Sequence, residues 1–211
     1  MTSLRRVAGV VIVTAGLAAT TTPALAHHMM GGRMPSTLME GLLSGLGHPI
    51  IGIDHFLFVV GVGLLGGILG RRLLLPLTFI TGTLGGAAIH LSGVGVVFAE
   101  PAIVGSVGLM AVAVVKGARL RAVPAAMLVT SAGLLHGYAY AESIFGAEPT
   151  PLYAYLIGFA AIQLVIAFTA GTAWQALETR GSRLAMTVQR AASIAMTLFV
   201  VVAVGRMALN M

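Results

Sequence analysis

Apolar segments of near-bilayer length recur six times along this chain, and that recurrence leaves few folds open. They run at about Ile50–Leu69, Leu73–Leu91, Val96–Val115, Ala122–Tyr140, Leu152–Ala176 and Leu184–Leu209. A helix of about 20 residues crosses about 30 Å of hydrocarbon, and inside lipid only helices or closed barrels satisfy every backbone group. The expected fold class is therefore all-α: a polytopic membrane protein with a six-helix transmembrane bundle. Charged residues make up 9% and hydrophobic ones 58%, whereas a soluble domain carries roughly 25% charged residues to solvate its surface. A soluble enzyme, a disordered chain and a nucleic-acid binder are excluded. The 28 glycines suit close helix packing in lipid. The lack of cysteine removes disulfides, thiolate nucleophiles and sulfur-rich metal cages.

Residues 1–26 read as a cleaved secretory signal peptide: Arg5 and Arg6 precede the apolar run Val7–Ala19, and Ala24-Leu25-Ala26 gives an A-x-A-type cleavage site. The alternative is an uncleaved first transmembrane helix. Cleavage makes His27 the mature N-terminus. Residues 27–47 then form an extracytoplasmic segment in which Ser36–Gly47, with Leu38, Leu42, Leu43 and Leu46 at helical spacing, is expected as a short interfacial helix. Residues 48–211 form the six-span domain. With the N-terminus outside, Arg71, Arg72, Lys116, Arg119, Arg121, Arg180, Arg183 and Arg190 fall on the inner side, and only Arg33 and Arg206 outside. This positive-inside bias places both mature termini outside the bacterial inner membrane. The net charge of +6 is thereby a topological device and calls for no acidic partner.

In that topology every histidine lies in or beyond the outer half. His27 and His28 open the mature chain, His48 stands at the mouth of span 1 with Asp54 and His55 deeper, His90 ends span 2, and His136 lies near the end of span 4. Glu100 starts span 3 and Glu142 follows span 4. A carboxylate within a bilayer costs several kcal/mol unless paired or solvated, so Asp54 is a functional candidate, with a structural hydrogen bond as the alternative. Pro49 suits the first turn of the span 1 helix, with His48 near its cap. His55 is then two turns on, about 10 Å deeper on the same face. The two imidazoles are expected as successive stations, sharing one cation only if the backbone bends near Gly52. Imidazole with carboxylate suits Ni²⁺, Co²⁺, Cu²⁺ or Zn²⁺ better than Mg²⁺ or Ca²⁺. His136 and Glu142 form a second constellation; Tyr138 and Tyr140 beside them are expected as interfacial anchors. The mature start His27-His28 with its free amine is a third, the alternative being an unstructured tail. His90 is an isolated candidate, and Glu100 has either a pathway role or a favourable contact with its helix N-terminus.

At His48-Pro49-x-x-Gly52-x-Asp54-His55 the chain resembles the HupE/UreJ family of bacterial membrane proteins. Glu100 opening a span, His136-Gly137 through Glu142, and a signal followed by histidine and six spans extend the likeness over the mature chain. The His-His start and Tyr138-Ala139-Tyr140 resemble a branch familiar from cyanobacteria. The resemblance implies nickel or cobalt uptake with His48, Asp54 and His55 taking part. The expected function is thus a secondary permease for a divalent transition-metal ion, with nickel and cobalt ranked ahead of copper and zinc. The alternatives are a metal-dependent intramembrane hydrolase, using His48, His55 and His136 as ligands, and a metal-binding accessory protein for hydrogenase or urease maturation. No prosthetic group is expected, and the chain carries no G-x-x-x-x-G-K-[ST] phosphate loop or other sign of an ATPase subunit. The expected partners are the metal ion and the lipid bilayer, and no nucleic acid.

Overall fold

The computed structural model describes residues 33–209. The signal segment and the His27-His28 pair lie outside the described residues. Within them the regular structure is helical: α1 (Leu38–Ile51), α2 (Ile53–Ile68), α3 (Leu74–Leu91), α4 (Ala99–Lys116), a 3₁₀ turn (Gly117–Arg119), α5 (Ala122–Glu142), α6 (Pro149–Arg180) and α7 (Ser182–Leu209). The helices α3 to α7 are each long and apolar enough to cross a membrane, and α1 with α2, bent by 80° between them, passes as a pair, which gives five spans, or six where the bent pair is one span. The all-α, multi-pass expectation holds. The expected second to sixth spans match α3 to α7, with α6 running several residues further at both ends.

The first span departs from expectation in two ways. It is not one helix beginning near Ile50: α1 continues to Ile51, and the chain breaks at Gly52, which takes extended dihedrals (φ −72°, ψ 105°). Pro49 lies inside the last turn of α1, not in the first turn of the deeper helix. Proline has no N–H for the carbonyl one turn back and its ring crowds that carbonyl, so a helix containing it kinks or stops soon after. Glycine at the break is also a steric requirement. A Cβ on Gly52 would sit 2.6 Å from Cδ2 of His55 and 3.2 Å from Oδ1 of Asp54.

Second, α1 takes in the stretch expected as a short interfacial helix and runs on through His48 to Ile51. Its N-terminus is closed by a capping box, Glu40 N–H donating to Thr37 Oγ1 at 3.2 Å and Thr37 N–H to Glu40 Oε2 at 3.3 Å. It then packs along α6, with Gly41 and Gly45 against the backbone of Pro151 and Tyr155. Beyond the break, Gly63 and Gly67 of α2 meet Ala167 and Gly171 of the same helix. Thus α6 is the continuous helix along which both halves of the bent pair are laid.

A third glycine seam joins α3 and α5, where Gly82 and Gly86 press on the Thr130 and Leu134 carbonyls and Gly133 and Gly137 on those of Phe79 and Thr83. Spacing small residues four apart lets helix backbones approach closely, the main source of helix association where lipid offers no hydrophobic contrast. Phe58, Val62, Phe79, Val107, Met110 and Met196 form the apolar centre between these pairs. The connections α2–α3, α4–α5 and α6–α7 carry Arg71, Arg72, Lys116, Arg119, Arg121, Arg180 and Arg183 at one end of the bundle. The break at Gly52 and the last turns of α5 lie toward the other.

Candidate metal site

The break positions the first two histidines. His48 lies in the last turn of α1 and His55 in the first turn of α2, and the bend brings their ring centroids to 5.7 Å. A straight helix would have separated them by about 10 Å of rise, so the successive stations expected from the sequence become one cluster. His136 joins from α5, held by the glycine seam at Gly137; its ring lies 4.9 Å from that of His55. His48, His55 and His136 are 2%, 1% and 0% exposed. At such burial, protein groups must satisfy the ring nitrogens.

One arrangement of protons, with the Ser106 and Tyr155 hydroxyls donating to backbone carbonyls, satisfies these contacts, and the roles of the ring nitrogens follow from that choice of tautomer. Ser106 Oγ on α4 donates to the Ile103 carbonyl at 2.7 Å. It has one hydrogen, so toward His136 Nε2, 2.9 Å away, it accepts. His136 therefore carries its proton on Nε2, and in the neutral ring Nδ1 is the acceptor. The 2.8 Å contact between the two Nδ1 atoms of His55 and His136 is then His55 donating to His136. That leaves the lone pair of neutral His55 on Nε2.

The same reasoning applies to His48. Tyr155 OH donates to the Tyr140 carbonyl at 2.8 Å, and Ser143 Oγ has that carbonyl at 3.0 Å and Tyr155 OH at 3.1 Å as acceptors for its one hydrogen. Both oxygens face His48 Nδ1, at 2.9 and 3.2 Å respectively. With their hydrogens used in this way both oxygens accept from Nδ1–H, and in that arrangement the lone pair of His48 is also on Nε2. Asp54 stands at the edge of the cluster, 18% exposed, with Oδ1 4.0 Å from His55 Nε2 and accepting from the His55 backbone N–H at 2.8 Å. A carboxylate in the first turn of α2 is further favoured by the helix dipole.

Of the residues singled out from the sequence, the fold gathers His48, Asp54, His55 and His136. Both ring nitrogens of His136 are in hydrogen-bond contact, Nε2 with Ser106 and Nδ1 with His55. Glu142 is the last residue of α5, with an exposed side chain that has no part in this network. Glu100 is exposed in the first turn of α4. His90 packs elsewhere, 4.4 Å from Tyr138 and 5.4 Å from Phe145 between ring centroids. Among the described residues no three His, Asp or Glu side chains are already converged on one point, so loading an ion requires side-chain adjustment or further ligands.

Sequence reasoning passed over Ser106, Ser143 and Tyr155, and misassigned Tyr140. Tyr140 is no interfacial anchor: it is fully buried, with its ring 4.3 Å from His55 and 5.0 Å from His48. Its hydroxyl has no hydrogen-bond partner among the described residues. Tyr138 sits nearer the surface and accepts from the Val96 N–H at 2.9 Å.

The model of the HupE / UreJ protein family matches residues 13–203. Protein HupE of Rhizobium leguminosarum bv. viciae is 30% identical over 158 residues, 73% of this chain and 78% of that protein. No solved structure matches. Members of this family are transport or accessory proteins associated with nickel or cobalt uptake, not enzymes, which leaves no place for the hydrolase alternative. The chain belongs to the HupE/UreJ family.

Proposed function

We propose that this protein is a secondary permease that takes a divalent transition-metal ion, nickel or cobalt, inward across the bacterial inner membrane. One observation carries the reading: two buried imidazoles, brought to 5.7 Å by the break at Gly52, are each hydrogen-bonded through Nδ1. A histidine held through one nitrogen presents the other, correctly oriented and more basic, to a metal. His48 and His55 would bind through Nε2 and Asp54 through its carboxylate, with His27, His28 or water completing the shell. Two imidazoles and one carboxylate match the borderline ions of the later first row. The negative charge of Asp54 offsets part of the cost of removing the ion from water.

Inward passage needs a further donor, and Gln163 would supply it. It lies one turn past Phe159, whose ring is 5.3 Å from that of Tyr140. Its side chain is 1% exposed. Its Nε2 donates to the Phe159 carbonyl at 3.0 Å, while Oε1 has no partner among the described residues. With both termini outside, the membrane potential, worth about 2.3 kcal/mol per charge per 100 mV, favours cation entry.

Radiolabelled nickel and cobalt uptake into sealed proteoliposomes tests the proposal. The parent should show saturable flux, and His48→Ala, Asp54→Asn and His55→Ala should each abolish most of it. Full uptake in all three variants would overturn the assignment.

A further inference from the structure

At the basic end of the bundle, far from the histidines, the last turn of α4 and the first turns of α7 enclose a groove of about 390 Å³. Lys116, Arg119 and Arg190 converge on it, with Gln189 between them and Val115 and Met186 on the apolar wall; no acidic side chain lines it. Among the described residues none of the three cations is paired with a carboxylate. Nor are they used to satisfy the end of α4. The Ala113 carbonyl accepts from Gly117 N–H, and the Val114 carbonyl from Gln189 Nε2 at 2.6 Å.

That glutamine bond ties α7 to α4 and builds the floor. Gly117 permits it: its φ is +53°, and a Cβ there would stand 2.9 Å from Gln189 Nε2. On the membrane side the wall is open. Val115 and Met186 are 62% and 45% exposed, and Val112 one turn deeper on α4 is 53% exposed. The groove therefore joins a cationic end to an apolar strip that runs into the hydrocarbon.

We infer that this groove binds the phosphate of an anionic membrane lipid, with Lys116, Arg119 and Arg190 around the headgroup and an acyl chain along Val115, Val112 and Met186. Cationic pockets between helices at the inner membrane face recognise such headgroups by charge, each Lys or Arg adding attraction near an anionic surface. Guanidinium groups also match phosphate oxygens in geometry. Inorganic phosphate would share the headgroup chemistry but would make no use of the apolar strip.

Native mass spectrometry of the full-length protein in detergent, with phosphatidylglycerol, phosphatidylcholine or inorganic phosphate added, tests this. The parent should retain phosphatidylglycerol over phosphatidylcholine. The double variant Arg119→Gln/Arg190→Gln should lose that preference on the order of tenfold or more. Arg71→Gln/Arg180→Gln, which removes the same charge outside the groove, should keep it. Met186→Glu, at an exposed position, should weaken binding while removing no cation. The assignment is overturned if the parent shows no preference, if the two double variants behave alike, or if inorganic phosphate displaces the lipid at equal concentration.

Discussion

Ser106→Ala tests the proton assignment on which the metal reading rests. The hydroxyl accepts from His136 Nε2 at 2.9 Å, and His136 is 0% exposed, so no water replaces it. The variant has two options. It can keep the proton on Nε2 without an acceptor, at about 1–3 kcal/mol for a buried unsatisfied donor. Or it can move the proton to Nδ1, which then donates to His55 Nδ1 and drives the His55 proton onto Nε2, the atom the metal needs. Metal binding must then reverse that shift and restore the first arrangement. The affinity loss is thus bounded by the same 1–3 kcal/mol, about 5- to 150-fold, in line with the 10- to 100-fold typical of outer-shell partners of a metal-bound histidine. Ser106→Thr keeps a hydroxyl and should recover most of the affinity. Calorimetric nickel titration of purified protein measures the loss, and ¹⁵N spectra of labelled histidine show which nitrogen of His136 carries the proton. A parent spectrum with His136 protonated on Nδ1, or an unchanged nickel Kd in a Ser106→Ala protein whose His136 proton has moved to Nδ1, would refute the reasoning.

Three further outcomes are expected. Gly137→Ala places a Cβ 2.5 Å from the Thr83 Cα and carbonyl carbon and closer still to its oxygen. Parting α3 from α5 should cost at least the roughly 1–3 kcal/mol of an overpacked core and displace the adjacent His136, lowering both the detergent Tm and nickel affinity; an unchanged Tm would show that the seam is looser than described. Gln163→Leu removes a buried acceptor with no partner, so it should hold or raise the Tm while cutting the maximal uptake rate and leaving nickel affinity intact; full-rate uptake would remove Gln163 from the path. Thr37→Ala breaks the capping box of α1 and should cost about 1 kcal/mol, read as increased hydrogen exchange in residues 38–41 without effect on nickel affinity.

How far the site was legible follows from what a linear pattern can record. His48, Asp54, His55 and His136 stand out because ionisable groups within apolar segments are rare and need a reason. The same rule picks out Glu100, Glu142 and His90, which the fold does not bring to that cluster, since lying toward one end of a bundle says nothing about facing its centre. Ser106, Ser143 and Tyr155 gave no signal of their own. Ser and Tyr are ordinary in membrane helices, and here they matter only through partners 30, 95 and 107 residues away in the sequence. Such pairings depend on which helices the glycine seams press together.

The break itself was half visible. Pro49 and Gly52 were both noticed, but a proline near an expected helix start fits the first turn of a new helix as well as the last turn of an old one. What decides between them is α6. Gly41 and Gly45 before the break, and Gly63 and Gly67 after it, all seat on that one continuous helix. From Gly45 to Gly63 the broken span uses 18 residues, while α6 advances from Tyr155 to Ala167, only 12. The surplus chain must bow away from α6, and His48 and His55 lie on the bowed stretch with Tyr155 and Phe159 opposite. A straight first span would have no surplus, and its two imidazoles would be stacked too far apart to share an ion. The glycine spacing along α1 and α2 is therefore as much a part of the site as the histidines.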